Sequence, residues 1–228
     1  MSVINKCGFG NTELVVDEWG MASHGYYNIE ECPSFIAREN EVFSSYYVKL
    51  IYKILEKGWK ISKLLICLSG QHEMITDFSG FRNFFTLNFF AKPIYNAYVM
   101  TSKLHGGLVE AKSDNENVYV ISTKKENNSY AVLLTYSSDN FEEDLPETEE
   151  EVVFDSDVKG KKATVYCIDK NTTNPYRLYE RKAIRELSEN DIKELREEGS
   201  LKPIEEYVVS ENIKLNLTAN SVYLILID

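Results

Sequence analysis

The spacing of apolar residues changes character near the middle of the chain. In the first part, short apolar runs alternate with longer stretches of helical period. LVVDEW (14–19) begins as an apolar run and closes on Asp17, Glu18 and Trp19. This is the pattern of a strand buried on both faces of a parallel sheet. FIARENEVFSSYYVKLIYKILEK (35–57) then places apolar side chains at 35, 36, 43, 47, 50, 51, 54 and 55. That spacing predicts a helix of about six turns with one wide apolar face. Pro33 stands at its start and Gly58 follows its end, as helix termini favour. ISKLLICLSG (61–70) repeats the strand pattern and runs into the polar residues Ser69, Gln71, His72 and Glu73. After a Gly-containing aromatic loop (78–93), KPIYNAYVMTSKLHGG (92–107) reads as a helix with Pro93 near its first turn and a Gly-Gly stop.

The second part is β-rich. NVYVIST (117–123), SYAVLLTYS (129–137), EEVVFDS (150–156), KATVYCID (162–169), NIKLNLT (212–218) and SVYLILI (221–227) predict strands. Asn-rich and VKGKK (158–162) turns between them predict hairpins. SENDIKELREEG (188–199) interrupts this pattern as a helix started by Ser188 and Asp191 and ended by Gly199. The reading is a βα portion over 1–105 followed by an antiparallel, sandwich-like module over 106–228. Two strand–helix units fill the first portion, whereas a closed (β/α)8 barrel needs eight units and roughly 250 residues.

Composition narrows the partners. The 228 residues carry a net charge of −11, which repels nucleic acid and anionic lipid. Part of that acidity lies in FEEDLPETEEEVVFD (141–155), read as a solvated loop between strands. No run approaches the ~20 apolar residues of a membrane span, and residues 1–13 lack the apolar core of a signal peptide. The cysteines, Cys7, Cys32, Cys67 and Cys167, are scattered without metal or redox spacing. A cytoplasmic location and no metal or organic cofactor are expected.

Candidate chemistry collects where strands end, since α/β sheets present function at the carboxyl ends of their strands. Glu18 leaves the first apolar run and Glu73 follows the second. A carboxylate beside an indole at such a position suits nucleophilic or acid/base work; a salt-bridged or capping acid fits the same spacing. Asp17, on the opposite side of an alternating strand, reads as structural. Arg82 reads as loop scaffolding with Asp77 or Glu73 as its partner, and Lys92 as a stem packed at a helix start; meeting a substrate carboxylate is the other candidate role for either. His24 and His72 lie on rim loops.

These residues carry a resemblance. DEW (17–19) at the end of a strand resembles the nucleophile motif of glycoside hydrolase family 39, whose members include β-xylosidases and α-L-iduronidases. LLICLSGQHE (64–73) is similar to that family's last barrel strand, and GFRNFFTLNFFAKPIYNAYVMTSKL (80–104) to its Gly-Phe loop and final barrel helix. IDKNTTNPYRLYERKA (168–183), LSENDIKELREEGSLKPIEE (187–206) and VYLILID (222–228) resemble its accessory β-sandwich. The likeness runs from about Thr12 to Asp228. It implies the C-terminal portion of a TIM barrel, with its last two strand–helix units in 1–105, and a β-sandwich domain in 106–228. It also implies a retaining glycosidase with Glu18 as nucleophile, Trp19 shaping the site, Glu73 gripping sugar hydroxyls, and His72 and Arg82 as further substrate-binding residues. The partners implied are a xyloside, uronide or similar glycoside, and the rest of the barrel.

The sequence departs from the family where Leu65-Ile66 replaces a Tyr-Trp pair and Glu73-Met74 replaces two consecutive acids, which leaves the sugar open. The family's acid/base resembles an Asn-Glu pair on the fourth barrel strand, well ahead of the nucleophile, and no Asn-Glu here fits that role. Asn40-Glu41 lies within the amphipathic stretch. The chain alone is therefore expected to be inactive and, with an uncovered strand edge and helix face, to self-associate. Two alternatives stay open: a non-catalytic carbohydrate-binding, sensing or vestigial module, and an arabinofuranosidase-type barrel.

Overall fold

In the computed structural model, residues 2–21, 29–66, 76–140, 145–154 and 158–228 are described. The chain is a mixed α/β structure. After the short α1 (Ser2–Lys6), β1 (Leu14–Trp19) and β2 (Ile61–Ile66) form a parallel pair. Between them lie a 3₁₀ helix (Pro33–Arg38) and α2 (Glu41–Glu56), and α3 (Pro93–Ser102) follows. The single helix expected over 35–57 is thus broken at Glu39-Asn40. Asn40 is extended and its side chain accepts from the Val42 N–H, an N-cap that starts a new helix there. The side chains of Arg38 and Glu39 turn inward instead of continuing an exposed face.

Six antiparallel strands make the central sheet in the order β3 (Gly107–Val109), β4 (Val118–Lys124), β5 (Tyr130–Tyr136), β10 (Ser221–Ile227), β7 (Lys162–Ile168), β8 (Pro203–Val208). Both faces of its middle are covered. One row, with Leu133, Ile168, Val222 and Leu224, packs on Phe43, Tyr47 and Val48 of α2 and on Ile94, Ala97 and Met100 of α3. The alternate row, with Val132, Leu134, Val165, Tyr223 and Ile225, packs on Ile213, Leu215 and Leu217. Burial on both faces explains why β5 and β10 read as unbroken apolar runs. In β9 (Ile213–Leu217) the apolar and polar residues alternate cleanly, because only one of its faces is covered.

The second layer opposite the helices is a two-stranded sheet of β6 (Thr148–Val152) and β9. The VKGKK turn therefore does not join a β6–β7 hairpin: β6 pairs with β9, and β7 pairs with β10 and β8. Between β7 and β8, α4 (Pro175–Arg181) precedes α5 (Glu189–Glu198). Ser188 and Asp191 form the anticipated capping box of α5. Arg177 of α4 grips Glu41 at 2.7 and 3.1 Å, which ties the start of α2 to the β-rich half.

The parallel pair departs from expectation. Val15 is 42% exposed and Leu65 is 48% exposed, so β1 and β2 are not dry on both faces. Only the face carrying Val16, Trp19 and Leu64 packs into the helices. No helix among the described residues is long and apolar enough to cross a membrane.

Candidate active site

Register decides what the end of β1 presents. From Val16 to Trp19 β1 advances three residues, while its partner advances two, from Leu64 to Ile66. The extra residue is a bulge, and a bulge re-aims the side chains beyond it. Simple alternation would set Trp19 on the side of Val15 and Asp17. The bulge turns it instead to the helix side with Val16, and leaves Asp17 and Glu18 both exposed. Asp17 and Glu18 are thus not the opposed pair that alternation implies.

Trp19 is a core residue, 8% exposed. Its indole N–H donates to the Tyr98 hydroxyl at 2.8 Å. Its ring lies 5.5 Å from Phe43 and 5.6 Å from Tyr47, and Tyr47 stacks on Tyr98 at 4.2 Å. Burial raises the Tyr98 hydroxyl above its ordinary pKa, with the Trp19 hydrogen bond acting the other way. The indole therefore anchors the strand end, and Glu18 is left outside.

Glu18 meets Arg82. The guanidinium Nη2 donates to Glu18 Oε1 at 2.7 Å, with the Arg82 side chain 11% exposed and that of Glu18 56% exposed. The arginine thus comes from within the protein and meets the carboxylate at the surface. Of the two loop partners considered for Arg82, Glu73 lies outside the described residues, and Asp77 accepts instead from the backbone and side chain of Asn88 at 2.8 and 2.6 Å. Gly20 makes the approach possible, since a Cβ there would stand 2.5 Å from Arg82 Cδ.

Behind the pair lies a buried polar cluster. Arg38 Nε donates to Met21 O at 2.9 Å and Nη1 to Gly80 O at 3.1 Å, with the guanidinium over the Phe35 ring. Glu39 Oε1 accepts from Gly80 N at 2.6 Å and from Lys92 Nζ at 2.7 Å, and Lys92 also donates to Phe81 O at 2.9 Å. Burial, and next the neighbouring Arg82 charge, pull Arg38 down to about 10. Burial also pushes the Lys92 ammonium below its ordinary value, against the pull of Glu39. Lys92 is fully buried, so the carboxylate it meets is Glu39 and it has no surface position from which to reach a substrate.

The structure thus brings together Glu18 and Arg82 and turns Trp19 away. Glu73, His72 and His24 lie outside the described residues. Gly20 and Arg38 escaped the sequence reading. The hint for Arg38 was a charged pair, Arg38-Glu39, interrupting an otherwise apolar helical face. Among the described residues no group of three or more His, Cys, Asp or Glu side chains is placed to hold a metal ion.

A parallel strand pair with helices, joined to an antiparallel β-module through one core, defines a recognisable fold. Its neighbours are glycoside hydrolases. A monomeric β-xylosidase from Caulobacter crescentus matches over 100% of this chain and 48% of its own, with a TM-score of 0.79 and 15% identity. A family 39 β-xylosidase from the same organism gives 0.73 and 15%, with 46% of that chain covered. A bacterial orthologue of human α-L-iduronidase gives 0.76 and 14%, covering 99% of this chain and 43% of its own. The chain thus spans less than half the length of these solved structures, and at such identities the likeness shows the fold. No family model matches the sequence, and no curated protein matches it.

Proposed function

We propose that this chain is the C-terminal part of a retaining glycoside hydrolase related to family 39, with Glu18 in the nucleophile position. On this reading residues 1–105 are the last two strand–helix units of a TIM barrel and residues 106–228 its accessory β-sandwich. The observation that carries the proposal is the exposed Glu18 carboxylate at the carboxyl end of β1, held by an arginine at 2.7 Å, within a fold shared along the full chain with β-xylosidases and an iduronidase orthologue. Glu18 would attack the anomeric carbon. The second carboxyl group, which a retaining enzyme holds about 5–5.5 Å away to protonate the leaving oxygen and then activate water, would come from barrel strands outside these 228 residues. The substrate would be a xyloside, uronide or similar glycoside, with Glu73 and His72 at the rim. Arg82 would fix the Glu18 carboxylate in place. The free thiols of Cys7, Cys32 and Cys167 accord with a cytoplasmic location.

The test is reconstitution. Coding DNA upstream of Met1 is read for a frame encoding an Asn-Glu strand end. The chain is then assayed alone and together with that segment on aryl β-xylosides and aryl α-L-iduronides. Hydrolysis that needs both parts and disappears in Glu18→Gln is the expected result. Turnover that survives Glu18→Gln would refute the nucleophile assignment. One observation favours a second reading, a non-catalytic vestigial module: the indole beside Glu18 is committed to Tyr98 in the core and offers no stacking face to a sugar. Absence of hydrolysis in every combination would establish that reading instead.

A further inference from the structure

We infer that Arg38, Glu39 and Lys92 act together as positioning residues that hold the backbone of Gly80 and Phe81 and thereby deliver the guanidinium of the next residue, Arg82, to Glu18. The role of the Glu18–Arg82 pair in catalysis rests on the glycosidase reading; the positioning itself does not.

The three charges converge on one short stretch of backbone. Each is almost wholly buried, and each is directed at main-chain atoms of one short segment. Glu39 takes the Gly80 N–H, Arg38 takes the Gly80 carbonyl, and Lys92 takes the Phe81 carbonyl. Arg82 is the next residue. The same Arg38 guanidinium uses its Nε on Met21 O, on the chain just beyond Glu18 and Gly20. One planar fork therefore clamps both segments whose separation sets the Glu18–Arg82 distance. Arginine suits that task because its donors are fixed relative to one another. Gly80 lets the clamped segment seat closely. It has a φ of +83°, and a Cβ there would lie 3.1 Å from Phe35 Cβ.

Stability alone is a poor reason for burying these groups. Buried ion pairs can often be exchanged for apolar residues of similar shape without loss. What apolar residues cannot supply is donors and an acceptor for three buried backbone atoms of a loop segment, Gly80 N, Gly80 O and Phe81 O. A residue within an irregular aromatic loop needs such ties to hold one geometry, and catalytic geometry tolerates displacements well under an ångström.

The test is a spectroscopic signature of Arg82. In the ¹⁵N-labelled full chain, water exchange of the Arg82 Nε–H is measured, with the signal assigned by its loss in Arg82→Lys. Glu18→Ala, which leaves no acceptor there, supplies the value for a guanidinium without its carboxylate. The double variant Glu39→Leu/Lys92→Met removes the buried ion pair as a unit, together with its ties to Gly80 N–H and Phe81 O, so neither of these two charges is left facing the core without the other. Arg38→Lys keeps the charge but loses the fork, and serves as the second variant. Both are expected to speed Arg82 exchange by about tenfold while the backbone amides of Leu133 and Leu224 in the central sheet keep their protection, the mark of local rather than global opening. Unchanged Arg82 exchange in both variants overturns the inference. So does acceleration matched at Leu133 and Leu224, which would show that the cluster only supports the fold. Failure of the glycosidase reading would be seen separately, as absent hydrolysis in the reconstitution assay with Arg82 still held.

Discussion

Gly20→Ala offers a test whose sign depends on one contact. Gly20 has an ordinary φ, so alanine strains no backbone there, but its Cβ would fall 2.5 Å from Arg82 Cδ and 3.3 Å from Cγ. Carbon atoms normally rest at about 3.5–4.0 Å, so the arginine stem has to retreat by roughly 1 Å. Such a shift lengthens the 2.7 Å bond to Glu18 to about 3.7 Å, beyond hydrogen-bond range. Overpacking of a buried stem costs about 1–3 kcal/mol. The pair itself adds only about 0–1 kcal/mol, because Glu18 is more than half exposed. Against this, replacing glycine by alanine restricts the unfolded chain and stabilises by about 0.4–1 kcal/mol. The net expectation is a loss centred near about 2 kcal/mol within a span of about 0–3.6 kcal/mol, or a Tm lowered by roughly 4–8 °C at the centre for a chain of this size. In an Arg82→Ala background Cδ is gone, and the same Gly20→Ala change is expected to stabilise by about 0.4–1 kcal/mol. Chemical denaturation of the four proteins in this double-mutant cycle reads the reversal directly. Equal effects in both backgrounds would refute the contact between residue 20 and the arginine stem.

Three further outcomes are expected. Trp19→Phe strips the Tyr98 hydroxyl of its indole donor and should cost about 1–3 kcal/mol in urea unfolding, part of it recovered by adding Tyr98→Phe so that no buried hydroxyl is left alone; a neutral Trp19→Phe would contradict the anchoring role. The Ser188 side-chain bond and then Lys182 lower Asp191 to about 2. Because the folded-state value is depressed, the stabilisation is present above the ordinary aspartate range near 4 and is lost as pH falls towards about 2; amide protection of α5 is expected to decline over that window, and protection that stays level across it would speak against the capping box. The half-exposed Val15 and Leu65 make a surface that should bind hydrophobic dye and associate; Val15→Lys/Leu65→Lys is expected to reduce dye fluorescence and shift sedimentation towards monomer, and a wild-type chain that is already monodisperse and dye-silent would exclude the surface.

Much of the architecture was legible as local pattern. β1, α3, α5 with its Ser188–Asp191 box, and most of the β-rich strands are runs whose period or capping residues specify the element without help from distant parts. Glu18 could be singled out because a carboxylate closing an apolar run is unusual. The break at Asn40, the pairing of β6 with β9 and the missing β6–β7 hairpin were not legible. Each depends on which remote surface an element meets: Arg38 and Glu39 leave the helical pattern to reach residues 21, 80 and 92, and β6 finds its partner over sixty residues away.

Periodicity and capping act over a few residues, and they suffice to mark most of the strands and helices and the acid that ends the first strand. What that acid meets depends on tertiary packing. A one-residue bulge swings Trp19 into the core and leaves Glu18 outside, and Arg82 reaches it only because Gly20 has no side chain and Arg38 ties the two loops together. Such a pair, 64 residues apart in the chain, has no local signature. It exists because packing brings the two segments within reach, and packing is a property of the whole fold.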